Sequence, residues 1–376
     1  MKFTILQEKL KSGLSIVERV PTKSLTLPIL NNLLFKVDKN FLTLSSTDLE
    51  IGIKWWTLVK AEKEGSVLIP VKILSNLLNF LPNTPVTIEK QDLNLVVECG
   101  NYKTQIKGQN PDDFPIIPGV GEEEPVVLDK ISFCQGLSQV LEIASHSSVK
   151  PEISGVYFLF QRDLIRMVAT DSFRLAEKKL FLKEPLSLSK EYFFILPQKT
   201  ARETLNIFGE KDNELRLYLS PNQVMFESLM AETPHPQVQI VSRLIEGEYP
   251  NYQEIIPKKY ETQVVCQKSE FLNQIKGAAV FSGKINEVKM KIDPKNNRVE
   301  LSSQNPDFGQ YHSFFSAKIK GESQDVSFNH RFLADGLANI RSSEVIFELT
   351  GSDRPAVLKP KDDESYLYVV MPIKAS

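Results

Sequence analysis

The stretch IPVKILSNLLNFLP, residues 69 to 82, returns twice along the chain, as ILPQKTARETLNIFG at 195 to 209 and as VSFNHRFLADGLANI at 326 to 340. Each copy opens on an apolar-Pro step or its equivalent and continues as an apolar helix; the copies are 126 and 131 residues apart. Upstream of each lies an amphipathic helix, built on Leu10, Leu14 and Val17, then on Phe133, Leu137 and Leu141, then on Phe271, Ile275 and Ala278, at steps of 123 and 138 residues. Strand segments LTLSSTD (42 to 48), RMVATD (166 to 171) and VELSSQN (299 to 305) fall between them and put Asp48, Asp171 and Asn305 in register. Three separate markers thus share one period. Repeats of about 20 to 50 residues mark solenoids or propellers, whereas roughly 125 residues can bury their own core, so three tandem copies of one domain are expected.

Between the helices the chain reads as strand. VVECG (96 to 100), GVYFLFQ (155 to 161), LRLYLS (215 to 220), QVVCQ (263 to 267), VKMKID (288 to 293) and YLYVVMPI (366 to 373) are β-branched or aromatic, and several alternate apolar with polar. Turn signals such as Asp38-Lys39-Asn40 and Pro294-Lys295-Asn296-Asn297 separate them. The fold class is therefore α+β, with two helices and about eight short antiparallel strands in each copy. The phrases DDFPIIP (112 to 118) and GEYPNYQEIIP (247 to 257) precede the two linkers, which sets expected domains at 1-125, 126-257 and 258-376.

With 376 residues, 41% of them hydrophobic and 24% charged, the chain has the composition of a well-packed protein of two to three domains. No apolar run approaches the roughly 18 residues that cross a bilayer, so no membrane association is expected. The opening MKFTILQEKLKSG lacks the apolar core of a signal peptide, and the expected location is cytoplasmic. Cys99, Cys134 and Cys266 are odd in number and show no CxxC spacing, so they read as buried small hydrophobes. Trp55 and Trp56 alternate on a strand, one toward the core and one partly exposed.

A net charge of −2 does not suggest a partner for nucleic acid. The six helical segments, however, hold 11 Lys and Arg against 6 Asp and Glu, leaving the rest of the chain acidic by 7. A positive helical surface on an acidic body suits contact with phosphates. Base readout is not indicated, because no basic reader helix, zinc-finger spacing or aromatic-basic RNP strand is present. Sparse cations give weak, salt-sensitive, sequence-independent contact.

An enzyme is the contrasting class. Asp48 and Asp171 form an apparent carboxylate pair, but equivalent places in two repeats imply one structural role, turn hydrogen bonding at a strand end. His146, His235, His312 and His330 lack metal-ligand spacing, no Walker A loop occurs, and neither a cofactor, a metal nor a catalytic residue is expected.

The phrases TLPIL (26 to 30), VATDSFRLA (168 to 176), EGEYPNYQEIIP (246 to 257) and YVVMPI (368 to 373), in order and across the whole length, resemble the bacterial β sliding clamp family, the processivity subunit of DNA polymerase III. The resemblance implies a non-catalytic homodimer in which six DNA-clamp domains close head to tail into a ring around double-stranded DNA. It implies as partners the DNA polymerase III catalytic subunit, the clamp-loader complex, and other clamp-motif proteins such as translesion polymerases, ligase and mismatch repair proteins. A partner-binding scaffold that never encircles DNA is the alternative.

The family's partner-peptide pocket falls here on Ile153, Thr170, Ser172, Phe173, Arg174 and Leu175, on Pro250 and Ile255, and on Val369, Val370, Met371, Pro372 and Ile373. Without the resemblance, residues 369 to 371 read as an ordinary core strand. Phe173 and Glu254 depart from the family's frequent His and basic residue, which bears on motif preference. Expected DNA contacts are Lys23, Lys72, His146, Lys150, Lys199 and Arg202, with Pro151 and Glu152 where the family has aromatics. The dimer seam is expected at Tyr102, Thr104 and Ile106 on one side and Val280 and Phe281 on the other.

Overall fold

The computed structural model describes residues 1 to 20, 27 to 120, 124 to 147, 149 to 186, 191 to 209 and 214 to 374. Six α-helices occur among them: α1 (Gln7–Val17), α2 (Val71–Phe80), α3 (Lys130–Val140), α4 (Gln198–Phe208), α5 (Lys268–Val280) and α6 (His330–Asn339). Each repeat supplies two. The apolar stripes of α1, α3 and α5 face inward, since all nine marker residues from Leu10 to Ala278 are buried. In the central copy α3 stops at Val140, and Leu141 begins a 3-10 turn instead.

The paired helices of a repeat are joined by a side chain at the start of the first. Gln7 Nε2 donates to the Leu78 carbonyl in the last turn of α2 at 2.6 Å, and Lys268 Nζ donates to the Ile340 carbonyl at the end of α6 at 2.7 Å. Helix C-termini leave carbonyls without intrahelical donors, so each bond satisfies one of them while fixing one helix against the other.

The sheets do not follow the repeats. All strand pairs are antiparallel, and an eight-stranded sheet runs Val126–Asp129, Glu214–Ser220, Gln223–Leu229, Pro236–Arg243, Ile51–Leu58, Phe41–Thr47, Asn32–Asp38, Gly65–Pro70. Its central seam joins the second repeat to the first, pairing Ile240 with Ile53 and Ser242 with Ile51. A nine-stranded sheet repeats this between the second and third copies, where Arg174–Phe181 pairs with Tyr366–Val370. The chain accordingly divides into two compact units, Met1–Ile131 with Arg202–Leu244, and Ser132–Ala201 with Ile245–Ser376. The central repeat contributes to both. Sequence similarity identifies which segments are alike, not which strands exchange hydrogen bonds.

Each unit also has a smaller sheet. In the first, five strands end on Tyr102–Lys107; in the second, four strands end on Gly309–Ser316. Both terminal strands present unpaired backbone groups along their outer edge.

The register of Asp48 and Asp171 is explained by one turn, which Asn305 shares only in part. Asp48 Oδ1 accepts from Ile51 N at 2.8 Å and Asp171 Oδ1 from Arg174 N at 3.0 Å, while Asn305 Oδ1 accepts from Asp307 N at 2.9 Å. The preceding threonines act alike, Thr47 Oγ1 donating to Ile51 O and Thr170 Oγ1 to Arg174 O. The next residues, Leu49 and Ser172, take φ of 77° and 78°. These carboxylates hold strand ends, as their repetition indicated.

The three cysteines are buried and free, and Trp55 is buried while Trp56 is half-exposed. No helix among the described residues is long and apolar enough to cross a membrane.

Candidate functional site

In the second unit the strand Leu164–Thr170 ends in the turn at Asp171, and Arg174–Phe181 leaves it alongside Tyr366–Val370. Arg174 pairs with Val370 and Leu175 with Val369. Below this junction lies an apolar cluster of Ile153, Val168, Leu175, Tyr249, Tyr252 and Val369, among others. Tyr157 stacks on Tyr249 with ring centres 4.8 Å apart. Tyr252 donates to the buried Glu177 carboxylate at 2.7 Å, and Arg166 and Lys179 approach the same carboxylate at 3.3 and 3.7 Å. Burial, reinforced for Tyr252 by the Glu177 charge, raises the pKa values of both Tyr249 and Tyr252 above the ordinary phenol value.

The rim is exposed and mixed. Phe173 is 62% exposed and Ile255 45%, with Pro250 and Ser172 also open to solvent. Arg174 binds Asp171 at 2.8 Å and Asp335 at 2.5 Å, and its guanidinium lies 4.6 Å over the Phe332 ring. Phe332 in turn stacks beside Phe173 at 6.4 Å. Beyond the strand, Met371 N donates to Phe173 O at 2.9 Å and Ile373 N to Ser327 O at 2.8 Å, so residues 371 to 373 cross the end of the sheet in a fixed path. Met371 and Ile373 are half-exposed there and Pro372 is buried. The result is a rigid, largely apolar floor with an aromatic and aliphatic lip, a surface suited to accepting apolar anchors of a short peptide.

All thirteen expected pocket residues lie in this unit, but not in one role. Ile153, Leu175 and Val369 form the floor. Strand alternation turns the fully buried Val370 to the opposite sheet face, so only its backbone borders the cleft. Tyr157, Tyr249, Tyr252, Phe332 and Asp335 were absent from the sequence-based set. The first three carry a signal in GVYFLFQ and in the phrase GEYPNYQEIIP; the Arg174–Asp335 pair spans 161 residues and carries none.

Of the expected DNA contacts, Lys72 on α2, Lys199 on α4, and His146 and Lys150 before the turn at Pro151–Ile153 are exposed; Arg202 is half-buried. Lys23 lies outside the described residues. Of the expected seam residues, Tyr102 is 52% exposed on the terminal strand of the five-stranded sheet and Thr104 is half-exposed, but Ile106 is buried in its own unit and offers only backbone. Val280, the last residue of α5, is 69% exposed, and Phe281 stacks on Tyr311 of the other terminal strand at 6.1 Å.

Residues 1–118, 128–251 and 253–374 match, in turn, the N-terminal, central and C-terminal domains of the DNA polymerase III beta subunit. The chain belongs to the DNA polymerase III beta subunit family. It is 28% identical to the beta sliding clamp of Synechococcus elongatus and 27% to that of Staphylococcus epidermidis, each over 100% of this chain and 99% of the relative. The DNA polymerase sliding clamp of Bacillus subtilis superposes with a TM-score of 0.94 at 25% identity, covering all of both chains. The beta subunit of Thermotoga maritima gives 0.91, also at 25% identity and full coverage. Three tandem clamp domains make up the chain, and its role is that of a sliding clamp, a non-catalytic processivity factor.

Proposed function

We propose that two copies of the chain close head to tail into a ring of six domains around duplex DNA and tether the replicative polymerase through the cleft of the second unit. The observation that carries the ring is the pair of sheet ends, Tyr102–Lys107 and Gly309–Ser316, each with exposed apolar side chains beside it. Pairing one end with the other end of a second copy removes open edges from solvent, and a heterologous contact of this kind forms a closed assembly when its rotation closes. Lys72, His146, Lys150, Lys199 and Arg202, with Lys23, then supply sequence-independent phosphate contacts. Enclosure rather than affinity keeps the clamp on DNA, and a tethered polymerase sees the primer end at high effective concentration. The cleft takes Leu- and Phe-bearing segments of the polymerase catalytic subunit, the clamp loader and other replication and repair proteins. Domain boundaries at 1-125, 126-257 and 258-376 belong to the same reading.

The test is retention on nicked circular DNA after loading by a compatible clamp loader with ATP, compared before and after the circle is cut. Retention on the circle and loss through cut ends is the expected result. Equal retention on both forms, with loading verified, would refute the ring.

A further inference from the structure

The repetition that built the cleft of the second unit built its counterpart in the first. There Ile51–Leu58 pairs with Pro236–Arg243 as Arg174–Phe181 pairs with Tyr366–Val370: Gly52 faces Val241 where Leu175 faces Val369, and Ile51 faces Ser242 where Arg174 faces Val370. The frame agrees down to one amide, Arg243 N donating to Glu50 O at 2.9 Å as Met371 N donates to Phe173 O at 2.9 Å. The phrase DDFPIIP lies here as GEYPNYQEIIP lies there, with Phe114 and Ile117 in the apolar cluster under the junction. A cavity of about 330 Å³ opens beside it, lined by Leu49, Glu50, Gly52, Ile116, Val241 and Arg243, among others.

The side chains differ in ways that define a ligand. Gly52 leaves no space for a Leu175 equivalent, since a Cβ there would meet Ile117 at 2.6 Å. Ile117 fills the floor, and Lys54 Nζ holds its carbonyl at 3.2 Å. Above it Ile116 is 93% exposed and Leu49 44%, an apolar pair facing solvent across the opening. Arg243 stands where the other cleft has Met371, exposed and at the mouth of the cavity. Glu50, where the other cleft has Phe173, lies beside Arg243, its carbonyl accepting the Arg243 amide, and disfavours a second acidic group.

We propose that this cavity is a second acceptor for short extended peptides, one that takes an apolar side chain between Leu49 and Ile116 and a neighbouring carboxylate on Arg243. The volume suits one or two side chains, and Arg243 favours a neighbouring carboxylate, whereas Arg174 at the cleft of the second unit is already held by Asp171 and Asp335. The inference rests on reading that second-unit cleft as a peptide acceptor.

The test uses fluorescein-labelled Gly-Ser-Asp-Leu-Phe and its counterpart Gly-Ser-Asn-Leu-Phe, followed by fluorescence anisotropy with the full chain and with a variant lacking residues 371 to 376. The deletion variant should still bind the Asp peptide, and bind the Asn peptide more weakly. Adding Arg243→Glu or Ile116→Asp, both at exposed positions, should lower the remaining Asp-peptide affinity by at least about tenfold with an unchanged melting temperature. No binding to the deletion variant, or no response to Arg243→Glu, overturns the proposal. If the deletion leaves Asn-peptide affinity unchanged while Arg243→Glu still weakens the Asp peptide, the second-unit reading fails and this one stands.

Discussion

Val280→Arg is the sharpest probe of ring closure. Val280 is 69% exposed at the end of α5, so in a lone chain the substitution costs within about 0.5 kcal/mol of fold stability. In the proposed seam it loses a buried valine, about 1.5–3 kcal/mol, and places an unpaired guanidinium against the partner. An uncompensated buried charge costs about 3–5 kcal/mol, reduced where a long side chain can reach water, so roughly 2 to 4 kcal/mol per seam is a conservative range. A head-to-tail dimer has two equivalent seams. Roughly 4 to 8 kcal/mol in total weakens the dimer by about a thousandfold to a millionfold. Sedimentation equilibrium at micromolar concentration should then show monomers that keep the wild-type circular dichroism spectrum, with a melting temperature lowered only by the loss of association. A variant that stays dimeric at that concentration, with its fold intact, refutes the seam. Adding Phe281→Arg strengthens the effect at a cost of about 0.5–1.5 kcal/mol within the chain, because Phe281 stacks on Tyr311 at 6.1 Å.

Deleting residues 371 to 376 should leave the fold and the ring geometry largely intact while weakening polymerase and clamp-loader binding, and with the latter the efficiency of loading; unchanged affinity for a Leu-Phe peptide sinks the cleft assignment. Tyr252→Phe removes one donor from Glu177, which keeps Arg166 at 3.3 Å and Lys179 at 3.7 Å, so the expected cost is at the low end for a charged hydrogen bond. About 1.5 kcal/mol corresponds to a fall in melting temperature of about 3–6 °C in a unit of this size, and calorimetry that finds no fall removes that bond from the account of the floor. Burial pushes the Cys266 thiol up to about 12 and raises Tyr249, Tyr252 and Tyr368 above the usual phenol value. Above roughly pH 9 the unfolded chain therefore releases protons that the folded chain retains, and stability falls as pH rises; a flat melting profile between about pH 8 and pH 11 contradicts this.

The repeating elements were legible because their residues answer to local rules. The stripe Leu10, Leu14, Val17 has helical spacing, and Thr-Asp at a strand end states its own turn chemistry, so both were readable in more than one repeat. The seams were not legible. Nothing in IGIKWWTL (51 to 58) or PQVQIVSR (236 to 243) says that these strands pair with each other rather than within their own repeats, because alternation fixes which face is buried and not which neighbour is bonded. In the cleft, resemblance pointed to Thr170, to residues 172 to 175 and to residues 369 to 373, and among these alternation leaves Val370 only its backbone at the cleft. Phe332 and Asp335 escaped because a charge pair across 161 residues leaves no trace in spacing. Glu177 escaped because a buried carboxylate in a strand looks like any solvent-facing one.

The sharing of sheets between repeats sets where this protein can be cut. A fragment ending after the first family domain at residue 118 would keep Ile51–Leu58 but lose Pro236–Arg243, baring the five paired residues from Ile51 to Trp55, with Ile51, Ile53 and Trp55 among them. An apolar strand left open in that way recruits any chain that can pair with it, so single repeats should aggregate or swap strands when produced alone. Similarity by descent and independence in folding are separate properties, and shared sheets are expected to leave this chain the first without the second.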